Sequence, residues 1–360
     1  MKIPNRNALG KTEIKAINSV IKHYKKKGKD PGYQDYFENK LCNEFTKRMN
    51  GGYADACATG SAALYIAISA LELKPNSEIL ISPVSDPSPL SAAILLGHRP
   101  RMMDSSKLSY NVNLKNVKER ITKKTVAIII VHAGGQASDI HRISKFAKKN
   151  KIKVIEDCSQ APFARCNSCK KKCHVCQKKY VGEFGDIAIF STMFSKTISS
   201  SGSGGITFTK KLSIYRKLLG YADRGKRVWE TSKYLKDPRS CLFPALNLNS
   251  NEFSCAITHA SLKRATQTIK RRRDFLSELL KGLKKSELCY PQTNDIKSIS
   301  PFYFSIIVDT KKIRASKNEF AKYLQMKGVT LLVEYGCVYS DWKWSKKYIN
   351  DNFFPKNAIE

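Results

Sequence analysis

Lys196 stands at the end of Phe190-Ser191-Thr192-Met193-Phe194-Ser195-Lys196, straight after an apolar, strand-like stretch, and is followed by Ser201-Gly202-Ser203-Gly204-Gly205. A lysine so placed reads as a Schiff-base former, an amine that holds a carbonyl and moves protons when released. Alone it says little, because the chain carries 64 Lys and Arg and most lysines are solvated surface charges. Two other segments raise its weight. Val154-Ile155-Glu156-Asp157-Cys158-Ser159-Gln160-Ala161 is an apolar strand ending in an acid, and Ala58-Thr59-Gly60-Ser61-Ala62-Ala63-Leu64 is a small-residue turn opening a helix. An amine for an aldehyde, a carboxylate for a protonated pyridine nitrogen and a helix N-terminus for a phosphate are together what pyridoxal phosphate requires.

With these pieces in this order, the chain resembles the sugar aminotransferases of the DegT/DnrJ/StrS type, within the fold type I pyridoxal phosphate enzymes. The markers are the Thr59 to Leu64 turn, Val131-His132-Ala133-Gly134-Gly135-Gln136, Glu156 to Ala161, and Gly185-Asp186-Ile187-Ala188-Ile189-Phe190-Ser191 with the lysine five residues later. They cover the chain from about Ile3 to about Phe354. The Phe-Ser-Thr-Met-Phe-x-Lys form, with Tyr221 to Lys226 and Ala245 to Asn249 downstream, is similar to the branch acting on keto-sugars and their phosphates.

The resemblance implies an amino group moved, from glutamate, to the ketone of a sugar, sugar phosphate or nucleotide-linked sugar by a homodimer. It implies Lys196 as nucleophile and general base, Asp157 on the pyridine nitrogen and Gln160 on the ring hydroxyl. It places the phosphate on the N–H groups of Gly60, Ser61 and Ala62 and on the Ser61 and Ser191 hydroxyls, with Asn247 reaching the phosphate of the neighbouring subunit. Arg224 and Lys226 are the candidates for a substrate phosphate or carboxylate, against surface salt bridging. Two departures stand out: Asp86 falls where most relatives put an aromatic ring against the cofactor face, and Asn249 replaces a frequent arginine. Relatives that act as sugar dehydratases carry histidine in place of the lysine, so Lys196 favours transamination. A third reading, a non-catalytic protein of the same fold with a basic binding surface, is told apart by salt-dependent nucleic-acid binding without cofactor.

The elements that must position these residues follow from periodicity. Residues 12 to 49 read as two polar helices, with Ile14, Ile17, Val20 and Ile21 on one face of the first and Phe37, Leu41 and Phe45 on the second. Residues 61 to 73 fit a buried helix. Strand-like runs recur at 79–82, 101–104, 126–131, 154–157, 187–191 and 206–209 with helical spacers, which predicts an α/β, mostly parallel sheet. In such sheets ligands gather at the carboxyl ends of strands, where Asp157 and Ser191 fall. Beyond Gly225 the chain is irregular to Asn251; a helix follows over 252–283, then a strand at 302–308, a helix at 317–327 and a strand at 330–334. The expected organisation is a helical arm (1–50), a large cofactor-binding domain (51–250) with a cysteine-rich insertion at 165–178, and a small α+β C-terminal domain (251–360). Relatives usually continue past the position of Asn357, so this small domain is expected to be truncated.

The 360 residues, 42% of them hydrophobic, with three Trp and 16 each of Tyr and Phe, suffice for a large core. No apolar run is long enough to span a bilayer, and Met1 to Arg6 has no apolar stretch after its charges, so a cytoplasmic protein is expected. The formal charge of +34 is spread over Lys25-Lys26-Lys27, Lys148-Lys149, Lys170-Lys171-Lys172 and Lys270-Arg271-Arg272-Arg273 without a nucleic-acid motif. No specific nucleic-acid partner is therefore expected; diffuse charge supports salt-sensitive binding and draws in phosphorylated substrates. Eleven cysteines read as reduced thiols. Four are crowded, Cys166, Cys169, Cys173 and Cys176, and two Cys-x-x-Cys pairs can wrap one structural zinc, with flanking lysines offsetting thiolate charge. An iron–sulfur cluster, free thiols and redox sensing remain open alternatives, and His174 could replace one thiolate.

Overall fold

The computed structural model describes residues 9–166, 173–200, 202–230, 239, 241–309, 311–331, 333, 336–349 and 353–359. Two helices come first, α1 (Lys11–Lys27) and α2 (Tyr36–Arg48). The second buries Phe37, Leu41 and Phe45 as its periodicity predicts. The first is rotated from expectation: Glu13, Val20 and Tyr24 are buried, while Ile14 and Ile21 are 58% and 51% exposed. Glu13 is the cause. Its carboxylate takes the Gly10 N–H at 2.9 Å at the helix start and pairs with Arg264, which turns that side inward.

β1 (Tyr53–Cys57) follows. Its sequence, Tyr-Ala-Asp-Ala-Cys, has no β-branched residue and a buried acid at its centre, so no strand pattern announces it. The alternation continues with α3 (Gly60–Ala70), β2 (Glu78–Ile81), α4 (Ser88–Leu95), β3 (Arg99–Met102), α5 (Leu114–Arg120), β4 (Thr125–Val131), α6 (Ile140–Lys149), β5 (Lys153–Asp157), the short α7 (His174–Lys178), β6 (Ile187–Ser191), β7 (Gly205–Thr209) and α8 (Leu212–Ala222). The strands form one seven-stranded sheet in the order β1-β7-β6-β5-β4-β2-β3. β7 alone runs against its neighbours; the other pairings are parallel.

The period of two along the strands sorts side chains between the faces. Ile129, Ile155, Ile187 and Ile189 pack with α3, α4 and α8, whereas Ile128, Ile130 and Val154 pack with α5 and α6. A third cluster joins Phe190 and Phe208 to α1, α2 and α9 (Glu252–Leu283). These are the three layers of an α/β fold. Asp157 and Ser191 each lie two residues beyond an isoleucine of the α3 face, so both carry their side chains to that face at the carboxyl ends of β5 and β6.

Beyond α9 come the paired β8 (Cys289–Pro291) and β9 (Ile306–Val308), then α10 (Lys317–Met326), α11 (Val338–Asp341) and α12 (Lys356–Ile359). α10 is closed by a capping box of Ser316 and Glu319. The strand expected at 302–308 is only its last three residues. The described residues of 330–334 form no strand, and nearby Val329 is 43% exposed. The chain then returns to the large sheet: Val338 N–H donates to Pro83 at 2.8 Å, Val338 and Ile349 join the α3-side core, and the Asn357 and Ala358 N–H groups donate to Asp104. No helix among the described residues is long and apolar enough to cross a membrane.

Candidate active site

The two acids ending β5 point to opposite faces and have opposite lives. Glu156 is fully buried, and its oxygens accept the N–H groups of Gly182 (2.7 Å), Phe184 (2.8 Å) and Gly185 (2.6 Å) and meet His132 Nε2 at 3.1 Å. His132 Nδ1 accepts the Ser138 N–H at 3.1 Å, which leaves Nε2 as the donor to Glu156. This carboxylate is committed to holding the 182–185 loop.

Asp157 is also buried, but among the described residues the hydrogen bonds to its carboxylate come from Ser159, whose N–H lies 2.9 Å from Oδ1. Burial pushes its pKa up; the Ser159 hydrogen bonds and the charge of Lys196 pull the other way. Ser159 also ties the two strand ends, its Oγ accepting the Ser191 N–H at 3.1 Å. Gln160 is buried beside them, its Oε1 accepting the Gly134 N–H at 2.8 Å.

Lys196 lies on the turn that leaves β6, its N–H bonded to Met193 O at 2.9 Å. Its Nζ sits 4.3 Å from the centre of the Phe302 ring, a cation–π contact of about 1 kcal/mol. The turn is fixed from α9: Arg272 Nη1 donates to Thr197 Oγ1 (2.9 Å) and Pro301 O (2.6 Å), and Ser261 Oγ accepts the Ser199 N–H (2.9 Å). A Cβ at Gly60 would stand 2.8 Å from Ser191 Cβ, so glycine is what lets the start of α3 lie against the end of β6. Gly60 and Ser61, as the first helical residues, have no intrahelical acceptor for their N–H groups. Ala62 departs from expectation: Thr59 Oγ1, capping the helix, takes its N–H at 2.9 Å.

Buried acid, held amide, lysine and open helix start thus meet at one end of the sheet. The sequence profile of the DegT/DnrJ/EryC1/StrS aminotransferase family matches residues 7–354. The chain belongs to that family. The GDP-perosamine synthase of Escherichia coli O157:H7 is 28% identical over 264 residues, covering 73% of this chain and 66% of that protein. The UDP-N-acetyl-3-dehydro-alpha-D-glucosamine 3-aminotransferase of Acidithiobacillus ferrooxidans is 34% identical over 175 residues, covering 49% and 44%. The chain spans less than two thirds of the length of these two relatives. An aminotransferase from Psychrobacter cryohalolentis superimposes with a TM-score of 0.88 over 100% of this chain and 91% of its own, at 20% identity. That likeness shows the shared fold of fold type I.

Other residues singled out in this family member stand nearby or apart. Asp86 is exposed; its Oδ1 accepts the Ser88 N–H at 2.9 Å at the start of α4, and Ser88 Oγ lies 2.6 Å from Ser61 Oγ. Arg224 and Lys226 converge on the buried Asp223, at 2.6 and 3.9 Å, and Arg224 lies over the Tyr33 ring. The exposed Asn247 donates to Tyr33 Oη at 3.3 Å and accepts from Asn249 Nδ2 at 2.9 Å. Its segment runs beside the turn before α3, where Ala58 N–H donates to Leu248 O. Of the cysteine cluster, Cys169 lies outside the described residues. Cys166 and Cys176 are buried and Cys173 is half-buried; His174 is exposed, and the imidazole beside the thiols is that of His141.

Sequence reasoning missed Ser159, Phe302, Arg272, Ser261 and His141. Ser159 had a signal, since an Asp two residues before a free N–H commonly closes an Asx turn. The others come from distant segments and carry none.

Proposed function

We propose that this chain is a pyridoxal phosphate-dependent aminotransferase that takes an amino group from glutamate and places it on the ketone carbon of a keto-sugar, sugar phosphate or nucleotide-linked sugar. The observation that carries this reading is the Lys196 amine held over Phe302 within electrostatic reach of buried Asp157. The donor set fits the cofactor. A carboxylate whose charge burial disfavours gains from a cation at the same depth, which a protonated pyridine nitrogen supplies. The Gly60 and Ser61 N–H groups, beside the Ser61 and Ser191 hydroxyls, suit a phosphate dianion at a helix N-terminus.

When bound, pyridoxal phosphate supplies an aldehyde that takes up amines reversibly and a ring that accepts the electron pair of a broken C–H bond. Asp157 would hold positive charge at the ring nitrogen, and Ser159 fixes the carboxylate's orientation. Gln160, braced by Gly134, would orient the ring hydroxyl. Lys196 Nζ, once free, would take the proton from the donor's α-carbon and return it on the other side of the transfer. The rigid turn supplied by Arg272 and Ser261 keeps that amine in place. Arg224 and Lys226, with Asp223 setting their positions, are proposed contacts for substrate phosphate.

A cytoplasmic homodimer is part of the proposal. The exposed Asn247 and Tyr33, together with the outward Ile14 and Ile21 of α1, support a second subunit there, with Asn247 completing its neighbour's phosphate site. The test is direct: the cofactor-loaded protein is given glutamate and a panel of 3-keto and 4-keto sugars, free, phosphorylated and nucleotide-linked. 2-Oxoglutarate forming in step with an amino sugar supports the reading. Ammonia release with a deoxygenated sugar, or no turnover of any ketone, contradicts it.

A further inference from the structure

We propose that His141, Cys173 and Cys176 form a zinc site that pins the cysteine-rich hairpin to α6. His141 is the second residue of α6 and is buried. Its Nδ1 lies 3.1 Å from Cys176 Sγ and 3.6 Å from Cys173 Sγ, and the three ligand atoms fall within 4.8 Å of one another. Zinc bonds of about 2.3 Å to sulfur and about 2.0 Å to nitrogen at tetrahedral angles separate S from N by about 3.5 Å, which Cys173 matches at 3.6 Å and Cys176 approaches from the short side at 3.1 Å. One metal ion bonded to all three atoms accounts for both sulfurs at Nδ1 at once.

Two sulfurs and an imidazole are a soft donor set that selects zinc over magnesium or calcium. Cys166 is buried in the same apolar cluster as Cys176, on the other arm of a hairpin closed by the Arg165 to Tyr180 bridge, but lies outside this group of ligand atoms. A zinc on the three donors would tie the start of α6 to the segment that carries both thiols. The neighbouring trio His132, Glu156 and Cys158 is not a second one, because backbone N–H groups already occupy the Glu156 oxygens. The hairpin's far end is the loop held by Glu156, one residue before Asp157. Zinc would therefore brace the strand that carries the site acid without touching the chemistry.

The experiment is metal analysis of the full chain purified without chelators, beside His141→Gln, Cys173→Ser and Cys176→Ser. The expected result is about one zinc per wild-type chain, reduced below about a tenth in each of the three variants. Absence of zinc from the wild type, or full zinc in His141→Gln, overturns the proposal; the second result would mean a four-cysteine site. Should the variants fail to fold, alkylation of the wild type decides. Cys173 and Cys176 should resist labelling until a chelator is added, while exposed Cys241 reacts throughout. Equal labelling of the two with and without chelator overturns the proposal.

Discussion

The strand-end cleft and the pocket beneath α1, α2 and α9 both bury acids, and they use them oppositely. In the pocket, acid faces acid. Glu252 accepts the Tyr24 hydroxyl (2.6 Å) and the N–H groups of Phe37 (2.8 Å) and Glu38 (2.9 Å); Glu38 accepts from Gln34 (2.9 Å) and Ala56 (3.3 Å) and is hydrogen-bonded to Asp55. Burial pushes Glu38 up to about 7 and Asp55 well above its usual range. The two share a proton, and among the described residues no lysine pairs with either. In the cleft, Asp157 is equally buried but faces Lys196 at the open carboxyl end of the sheet. An acid satisfied by backbone and a second acid is an anchor. One left opposite a lysine amine at a strand end is free of that anchoring role.

The sharpest way to break this contrast is Lys196→Ala, for which transamination should fall by at least about 10³-fold with the fold unchanged, read by turnover and circular dichroism. Asp157→Asn comes next. It should lower turnover by about 10²-fold and weaken the cofactor while leaving Tm nearly unmoved, whereas Glu156→Gln should cost about 3 kcal/mol of stability because it faces the loop's N–H groups with a donor. Similar behaviour of the two variants in activity and melting assays would erase the distinction between site acid and anchor. Gly60→Ala should weaken cofactor binding about tenfold, measured by titration, as its methyl pushes α3 off Ser191.

The smallest effect lies in the acid pocket. A folded-state pKa raised from 4.5 to about 7 at Glu38 means that the folded chain keeps a proton the unfolded chain has lost. The contribution is full below about 4.5 and is lost as pH rises towards 7. Glu38→Gln should flatten this fall by a few °C in Tm across that window, and parallel melting curves for the two proteins would contradict the shared proton.

How much of this the sequence discloses differs between the same two regions. The cleft was largely legible: strands rich in Ile and Val, an acid at a strand end, a glycine opening a helix and a lysine after the next strand are local signals. Each survived as an element within a few residues of expectation. The pocket was not legible. β1 hides in Tyr-Ala-Asp-Ala-Cys, and the inward turn of α1 depends on Glu13 meeting Arg264, 251 residues away. Helical periodicity alone put Ile14 and Ile21 inside. His141 was invisible for the same reason, since nothing links it to Cys173 until α6 and the hairpin are folded together.

Borohydride reduction of the protein loaded with pyridoxal phosphate, followed by peptide mass analysis, shows which amine holds the cofactor. The expected result is reduced cofactor on Lys196 alone, with the visible absorption band lost in Lys196→Ala and shifted by glutamate in the wild type. Adduct spread over other lysines, or a band that persists in Lys196→Ala, would contradict it.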